Sequence, residues 1–218
     1  MSEPSTQTPP PAASKPKRRT HLERTELSDS RMFEAAEELI LEVGTQKTTL
    51  KEVGERAGYS RGLANARYGN KETLFLKLSE RCLGMWRDEL QRRAGSKRGL
   101  QALITRMDAI VSYALHHSED ARVMYILWFE SVGSSSEMKQ GLARFHQQAR
   151  DDIQNLVEEA MGAGEIAQDN NAQLFAMHFT STMFGLSYQW SVNPQAMNIE
   201  QQVSGIKHQL MLVLRPTS

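Results

Sequence analysis

The side chains best suited to chemistry lie in residues 53–68, where two short helices would meet at a glycine. A helix-turn-helix needs a small residue midway along its first helix and, four positions later, a residue that tolerates positive φ. Gly54 and Gly58 meet these two requirements. The second helix would turn four polar or basic side chains outward: Ser60, Arg61, Asn65 and Arg67. The pattern indicates a surface that could meet an anion, although helix–glycine–helix patterns also occur without such a role.

Catalytic and metal-binding chemistry find little support in the sequence. The six histidines show no spacing that is typical of metal ligands. His116 and His117 with Glu119 and Asp120 come nearest, but they lie at a predicted helix end, where imidazoles favour the helix dipole. Cys82 is the single cysteine, which excludes an internal disulfide. We expect no metal, no cofactor and no enzymatic activity.

Helical periodicity describes the elements that must position these residues. Apolar residues recur at the 3.6-residue spacing from Ser30 onward, in four helices before a break at residues 94–99 and five longer segments after it. Thr49 can open the second helix through a capping box with Glu52, Ser60 can cap the third, and Asn70 the fourth. No alternating strand pattern is visible in the sequence. It predicts an all-α protein of about nine helices.

Composition and charge divide the chain into three parts. Residues 1–27, rich in proline and polar residues with a basic run at 15–19, predict a disordered arm that could rest on phosphates or simply be a solvated tail. Residues 1–98 hold 19 Lys and Arg against 14 Asp and Glu, and residues 99–218 hold 7 against 12. This asymmetry suits a basic module that meets an anion, joined to an acidic module with another role.

The hydropathy pattern bears on location. No run approaches the roughly 18 apolar residues that a membrane-spanning helix needs, and the first residues lack the apolar stretch of a secretion signal. We therefore expect a cytoplasmic protein with no membrane partner.

The glycine turn and its flanks are similar to the DNA-binding signature of the TetR family of repressors. The resemblance covers about residues 31–76 and rests on Gly44, Thr48-Thr49, Val53, Ala57-Gly58-Tyr59-Ser60, Gly62, Tyr68 and Asn70-Lys71-Glu72-Thr73-Leu74. Asn65 stands where the family usually has tyrosine, and Arg67 where it usually has histidine or tyrosine. Both departures put the transfer of individual DNA contacts in doubt.

The resemblance implies a helix-turn-helix DNA-binding domain at residues 28–76 and a helical effector-binding and dimerisation domain at residues 77–215. It also implies that the third helix lies in a major groove of double-stranded DNA. Arg61 would then face guanine and Asn65 adenine, because these side chains match the hydrogen-bonding edges of those bases. Other residues would hold phosphates. The full set of candidate DNA-binding residues is Lys47, Thr48, Thr49, Ser60, Arg61, Gly62, Asn65, Arg67, Tyr68 and Lys71. For each basic residue the alternative is a solvated surface charge.

The C-terminal part is rich in methionine and aromatic residues, which could line a pocket for an apolar ligand or form an ordinary core. The candidate ligand-binding residues are Met107, Met124, Tyr125, Trp128, Phe129, Phe179 and Met183. The last two helices carry more apolar residues than one inner face requires. The resemblance implies that these two helices form a homodimer interface, for which the candidates are Phe184, Tyr188, Ile206 and Leu210.

The function that these features and the resemblance imply is ligand-responsive transcription regulation. The protein would bind a palindromic operator as a homodimer, usually as a repressor, and a small apolar effector would release it. The alternative is an all-helical dimeric interaction protein that has lost ligand control or DNA binding.

Overall fold

The computed structural model describes residues 20–133 and 136–216, and within these ranges it contains nine α-helices and no β-strand. The predicted all-α architecture is confirmed. The helices are α1 (His21–Val43), α2 (Leu50–Arg56), α3 (Leu63–Tyr68), α4 (Lys71–Ala94), α5 (Gly99–His116), α6 (Ser118–Val132), α7 (Glu137–Gly162), α8 (Ala172–Val192) and α9 (Ile199–Leu214).

The first helix begins earlier than the sequence predicts. It starts at His21 rather than at Ser30, because Thr20 and Glu23 form a capping box in which each side chain accepts a hydrogen bond from the other residue's backbone N–H. Residues 21–27, predicted to belong to a disordered arm, are therefore helical. The basic run at residues 15–19 lies outside the described residues.

The first four helices share one hydrophobic core. Met32 and Ile40 of α1, Val53 of α2, and Leu74 and Leu78 of α4 are essentially inaccessible to solvent. The boundary predicted between residues 76 and 77 falls inside the continuous helix α4. This helix therefore runs from the N-terminal unit into the C-terminal one.

Helix α6 joins the two halves of the molecule. Val123 and Leu127 are buried in the same core as α1 and α4, and Thr45, after α1, donates a hydrogen bond to Glu130 of α6. A second core lies among α5, α7, α8 and α9. Among the described residues, no helix is both long and apolar enough to cross a membrane.

Candidate nucleic-acid interface and ligand cavity

Helices α2 and α3 form the predicted helix-turn-helix. Gly58 has a φ of 78°, a conformation that L-residues with a side chain rarely adopt. A Cβ on Gly54 would lie 3.1 Å from the Ser60 carbonyl oxygen and 3.6 Å from Ala64 Cβ, so the small residue lets α3 cross α2 closely. The Thr49–Glu52 capping box is also present.

The start of α3 differs from the prediction. The helix begins at Leu63 with Gly62 at its N-cap, and no side chain caps it. Ser60 lies farther upstream, in the turn, where its carbonyl oxygen accepts a hydrogen bond from the Leu63 N–H at 3.0 Å. Its hydroxyl therefore does not cap α3, and the side chain is exposed.

Six of the ten candidate DNA-binding residues lie on the surface around α2 and α3. They are Lys47, Thr49, Ser60, Arg61, Gly62 and Asn65. The Arg61 side chain is 74% exposed and pairs with Glu55 of α2. Asn65 is exposed one turn farther along. The surface that these six residues form, here called the α3 face, could accept the edge of a duplex without rearrangement of the core.

Three candidates face the protein interior instead, which revises the expectation of direct DNA contact. Thr48 is completely buried, and its hydroxyl donates to the Gly44 carbonyl at 2.9 Å. Arg67 donates through Nη1 to Asp29 Oδ1 at 2.6 Å and to Ser28 Oγ at 2.7 Å. Tyr68 is 5% exposed, and its hydroxyl donates to the same Asp29 oxygen at 2.9 Å. These side chains tie α3 to α1.

Lys71 lies at the first turn of α4, beside the turn that follows α1. Its Nζ donates to the Thr45 carbonyl at 3.0 Å and lies 5.9 Å from the centre of the Phe75 ring. Asn70 caps α4, accepting a hydrogen bond from the Thr73 N–H at 2.7 Å. The partly exposed ammonium group and the helix N-terminus create a region of positive potential beside the α3 face.

A cavity of about 90 Å³ lies among α4, α5, α6, α7 and α8. Its wall includes five of the seven predicted ligand-binding residues: Met124, Tyr125, Trp128, Phe179 and Met183. Ligand pockets commonly enclose about 300–1,000 Å³, so this cavity is contracted. Methionine side chains adapt easily in shape, and Met124 and Met183 give it a means of widening.

Two predicted ligand-binding residues lie away from this cavity. Met107 is 1% exposed within the second core. Phe129 is 55% exposed, and its ring centre lies 4.8 Å from that of Tyr188. Sequence reasoning also missed Trp86 of α4, Arg106 of α5 and Trp190 of α8, which line the cavity. The tryptophan content could have indicated the two missed tryptophans, because the chain has three tryptophans and all three line this cavity.

The predicted dimer residues are divided between the interior and the surface. Phe184 lines the cavity, while Ile206 and Leu210 are half-buried against the second core. Tyr188 is 41% exposed. The large apolar side chains that α8 and α9 expose are Leu174, Met177, Tyr188, Val192, Leu212 and Val213. This set, which shares only Tyr188 with the predicted one, forms the outer apolar surface of the described parts of the two helices.

A buried charge cluster connects α1, α4 and α6. Arg81 Nη1 lies 2.5 Å from Glu37 Oε1 and 3.9 Å from Asp120 Oδ1, and His117 Nδ1 lies 3.4 Å from Asp120 Oδ2. Burial raises the pKa of Glu37 to about 7; Arg81 opposes this rise, while the neighbouring Asp120 adds to it. Next to the cluster, burial raises the pKa of the Cys82 thiol to about 12. The thiol is therefore protonated at neutral pH and poorly suited to nucleophilic chemistry.

The cavity wall contacts this cluster through Tyr113. The Tyr113 hydroxyl donates to the Cys82 carbonyl at 3.2 Å, and its ring stacks on His117 with centres 5.1 Å apart. The same tyrosine lines the cavity. A ligand that moved Tyr113 would therefore act directly on α4, the helix that leads to the α3 face.

Comparisons with known proteins agree with this geometry. Residues 33–78 match the family described as bacterial regulatory proteins of the tetR family, and residues 103–215 match the C-terminal domain of BetI-type transcriptional repressors. No curated protein matches the chain.

Two solved structures illustrate the likeness in fold. One is NalD of Pseudomonas aeruginosa, the secondary repressor of the MexAB-OprM multidrug efflux pump. It is 20% identical, with a TM-score of 0.68 over 88% of this chain and 98% of that chain. The other is a SmeT–triclosan complex, 22% identical, with a TM-score of 0.64 over 86% and 88%. At these identities the likeness shows the fold alone, whereas the C-terminal family match spans more than half of the residues. The chain belongs to the TetR family of bacterial transcriptional regulators.

Proposed function

We propose that this regulator binds a palindromic operator as a homodimer, acts as a repressor, and is released by a small apolar effector. The observation that carries the proposal is the α3 face. Arg61, in the turn before α3, and Asn65, on α3, are both exposed. The position of this short helix is set by Gly54, by Gly58 and by the bonds of Arg67 to α1. Such a rigid platform can present side chains to base edges in the major groove.

Arg61 and Asn65 are proposed to read bases, while Lys47, Thr49 and Lys71 hold phosphates and fix the register. Thr48, Arg67 and Tyr68 are given a supporting role, because their polar atoms already bond within the protein. The boundaries of the DNA-binding unit then lie near the start of α1 and within α4.

The cavity is proposed as the effector site. Its wall is mainly aromatic and aliphatic, which suits an apolar ligand. The structure of SmeT with triclosan supports the idea that this fold holds a small aromatic molecule. An effector can shift the protein away from its DNA-binding state only through its different affinity for the two states. We propose that the effector binds better to a state in which the cavity is wider, and that α4 has a different position in that state.

The outer apolar surface of α8 and α9 is proposed as the homodimer interface. Pairing two copies there would bury Met177 and Leu212, which are 48% and 67% exposed in the single chain. A two-fold dimer places its recognition helices on half-sites about 34–36 Å apart, which requires a palindromic operator. Regulation of this kind takes place in the cytoplasm and needs no catalytic residue.

Selection of bound duplexes from a random pool tests the proposal. The purified protein is expected to enrich a palindrome, and sequencing the enriched pool gives both the operator and its symmetry. A protein that binds no duplex at low ionic strength would instead favour the alternative, a helical interaction protein that has lost DNA binding.

A further inference from the structure

A second cavity adjoins the apolar one and differs from it in charge. It measures about 440 Å³ and lies among α4, α5 and α7. Of its ionisable lining residues, Arg87, Lys97 and Arg106 are cationic and Asp152 alone is acidic. This second space is called the basic cavity below.

Arg106 lines both cavities, so its side chain lies between them. The guanidinium group is 18% exposed, and its Nη2 donates to Asp152 Oδ2 at 2.8 Å. Arg106 is also the one charged residue in the wall of the apolar cavity. A molecule that extends from one cavity into the other must pass this ion pair.

We infer that the effector is an amphiphile with a single anionic head group. Its apolar body occupies the aromatic cavity, and its head group lies in the basic cavity against Arg106, Arg87 and Lys97. A carboxylate on the ligand can replace Asp152 as the partner of Arg106, so the guanidinium is never left buried without an anion. A neutral hydroxyl can accept only a weaker hydrogen bond from these three cations than a carboxylate can, and a cationic head group is repelled by them. The inference rests on the proposed role of the apolar cavity as the effector site.

The volume of the apolar cavity also limits the size of the apolar part of the effector. At about 90 Å³ it is smaller than the roughly 150 Å³ cavity that holds benzene, so binding must displace the surrounding side chains. A flexible alkyl chain, which can follow the displaced side chains, suits this space better than a rigid polycyclic body. Because Trp86, Trp128 and Trp190 all line the cavity, intrinsic fluorescence reports on its occupancy without a label.

The test compares three probes that share one apolar body: octanoate, octan-1-ol and octylammonium. Fluorescence titration of the DNA-free protein is expected to show octanoate binding roughly ten- to hundredfold more tightly than octanol, the range expected for a charge-assisted hydrogen bond. Octylammonium should bind most weakly. Equal affinity for octanoate and octanol, tighter binding of octylammonium, or no saturable signal with octanoate would each overturn the inference.

Variants assign the preference to the basic cavity. The double variant Arg87→Gln/Lys97→Gln removes two exposed cations. It is expected to lower the affinity for octanoate and to leave the affinity for octanol unchanged. Asp152→Asn is expected to raise the affinity for octanoate, because the ligand carboxylate then no longer competes with the Asp152 carboxylate for Arg106. The matched control Lys77→Gln/Arg98→Gln removes two exposed cations that line neither cavity and should behave as wild type.

An Arg87→Gln/Lys97→Gln protein that still binds octanoate more tightly than octanol by the wild-type factor would contradict the inference. All of these titrations are done without DNA. A failure of octanoate to release the operator would therefore count against the proposed function and leave the head-group preference standing.

Discussion

Arg61 and Arg67 lie six residues apart in the helix-turn-helix, and their surroundings assign them different roles. The Arg61 side chain is 74% exposed and pairs with a neighbouring helix at the surface. The Arg67 side chain is 24% exposed and forms three hydrogen bonds to α1. An arginine that is free to leave an exposed ion pair can reach a base, whereas one committed to three internal acceptors cannot do so without breaking them.

Arg61→Ala is expected to remove selectivity for the operator while the fold stays intact. An arginine that reads guanine contributes about 1–3 kcal/mol of discrimination. Binding titrations on operator and scrambled duplexes measure this difference, with Arg122→Ala, an exposed change on α6, as the control. Unchanged discrimination would exclude Arg61 from base reading.

Arg67→Ala is expected to lower the free energy of unfolding by about 1–3 kcal/mol, because Asp29 loses a charged hydrogen-bond partner. Urea denaturation measures the loss. Asn65→Ala, an exposed change on the same helix, should stay within about 0.5 kcal/mol of wild type. Unaltered stability together with weaker binding to all DNA would identify Arg67 as a phosphate contact instead.

The internal role of Arg67 could not be predicted from local sequence. Helical spacing turns Arg61 and Arg67 outward alike, and the partner of Arg67 lies 38 residues upstream. The predicted helix began at Ser30, one residue beyond Asp29, so the acceptor was not recognised as part of an element. Exposed candidates such as Lys47 and Asn65 depend on local spacing alone and were placed correctly on the surface.

At the scale of the elements, helix caps and turns could be predicted where the interacting residues are close in sequence. The capping box at Thr49, the cap at Asn70 and the turn at Gly58 each involve residues within a few positions of one another. The Ser60 cap was wrong because α3 begins two residues later than expected, with Gly62 at its N-cap. The capping box at Thr20 was overlooked because few apolar residues surround it to show a helical period.

Gly58→Ala is expected to destabilise the protein by about 1–2 kcal/mol, since the φ of 78° is unfavourable for a residue with a Cβ. Thermal or urea unfolding measures the change. Gly62→Ala is the matched control, because Gly62 has a φ of −88° and open space around it, and it should be neutral or slightly stabilising. Equal effects of the two substitutions would contradict the assigned conformation.

The charge cluster between α1, α4 and α6 gives the junction a pH dependence. Since the pKa of Glu37 rises from 4.5 to about 7 on folding, the folded protein binds the proton more tightly than the unfolded chain. The contribution of Glu37 to stability is therefore fully present below pH 4.5 and falls as the pH rises towards 7. The charged or titratable groups near it are Glu34, Arg81, Cys82, His117 and Asp120.

Glu37→Gln is expected to flatten the decline in unfolding free energy between pH 4.5 and 7, an effect on the order of 1–3 kcal/mol. Denaturation at a series of pH values measures it. Glu26→Gln, an exposed change on the same helix, should keep the wild-type profile. A Glu37→Gln protein with that same profile would show that other groups cause the decline.

At the scale of the whole molecule, the fold class and the approximate number of helices followed from periodicity, whereas the lining of the cavity followed only in part. Helix α6 is apolar nearly all round, so its pattern cannot separate Trp128, which lines the cavity, from Phe129, which is exposed. Which aromatic residues meet depends on how five helices pack. The pattern of α8 likewise does not show that Phe184, a predicted dimer residue, lines the cavity.

Met177→Glu/Leu212→Glu is expected to convert the proposed dimer into monomers, because charges on the outer faces of α8 and α9 cannot be buried in a two-fold interface. Analytical ultracentrifugation measures the mass, and circular dichroism should show unchanged helix content. Operator affinity should fall as well, since each monomer holds one half-site. Leu115→Glu, at a residue 49% exposed on α5, is the control, and a double variant that remains dimeric would place the interface elsewhere.

The burial of Val123 and Leu127 among side chains of α1 and α4 also limits how this protein can be re-engineered. A chimaera that takes its first four helices from another family member would pack foreign α1 and α4 side chains against α6 of this protein. Voids or steric clashes are expected where these helices contact α6. The first four helices and α6 therefore have to be transplanted together for a hybrid to keep the packing through which the proposed effector would act.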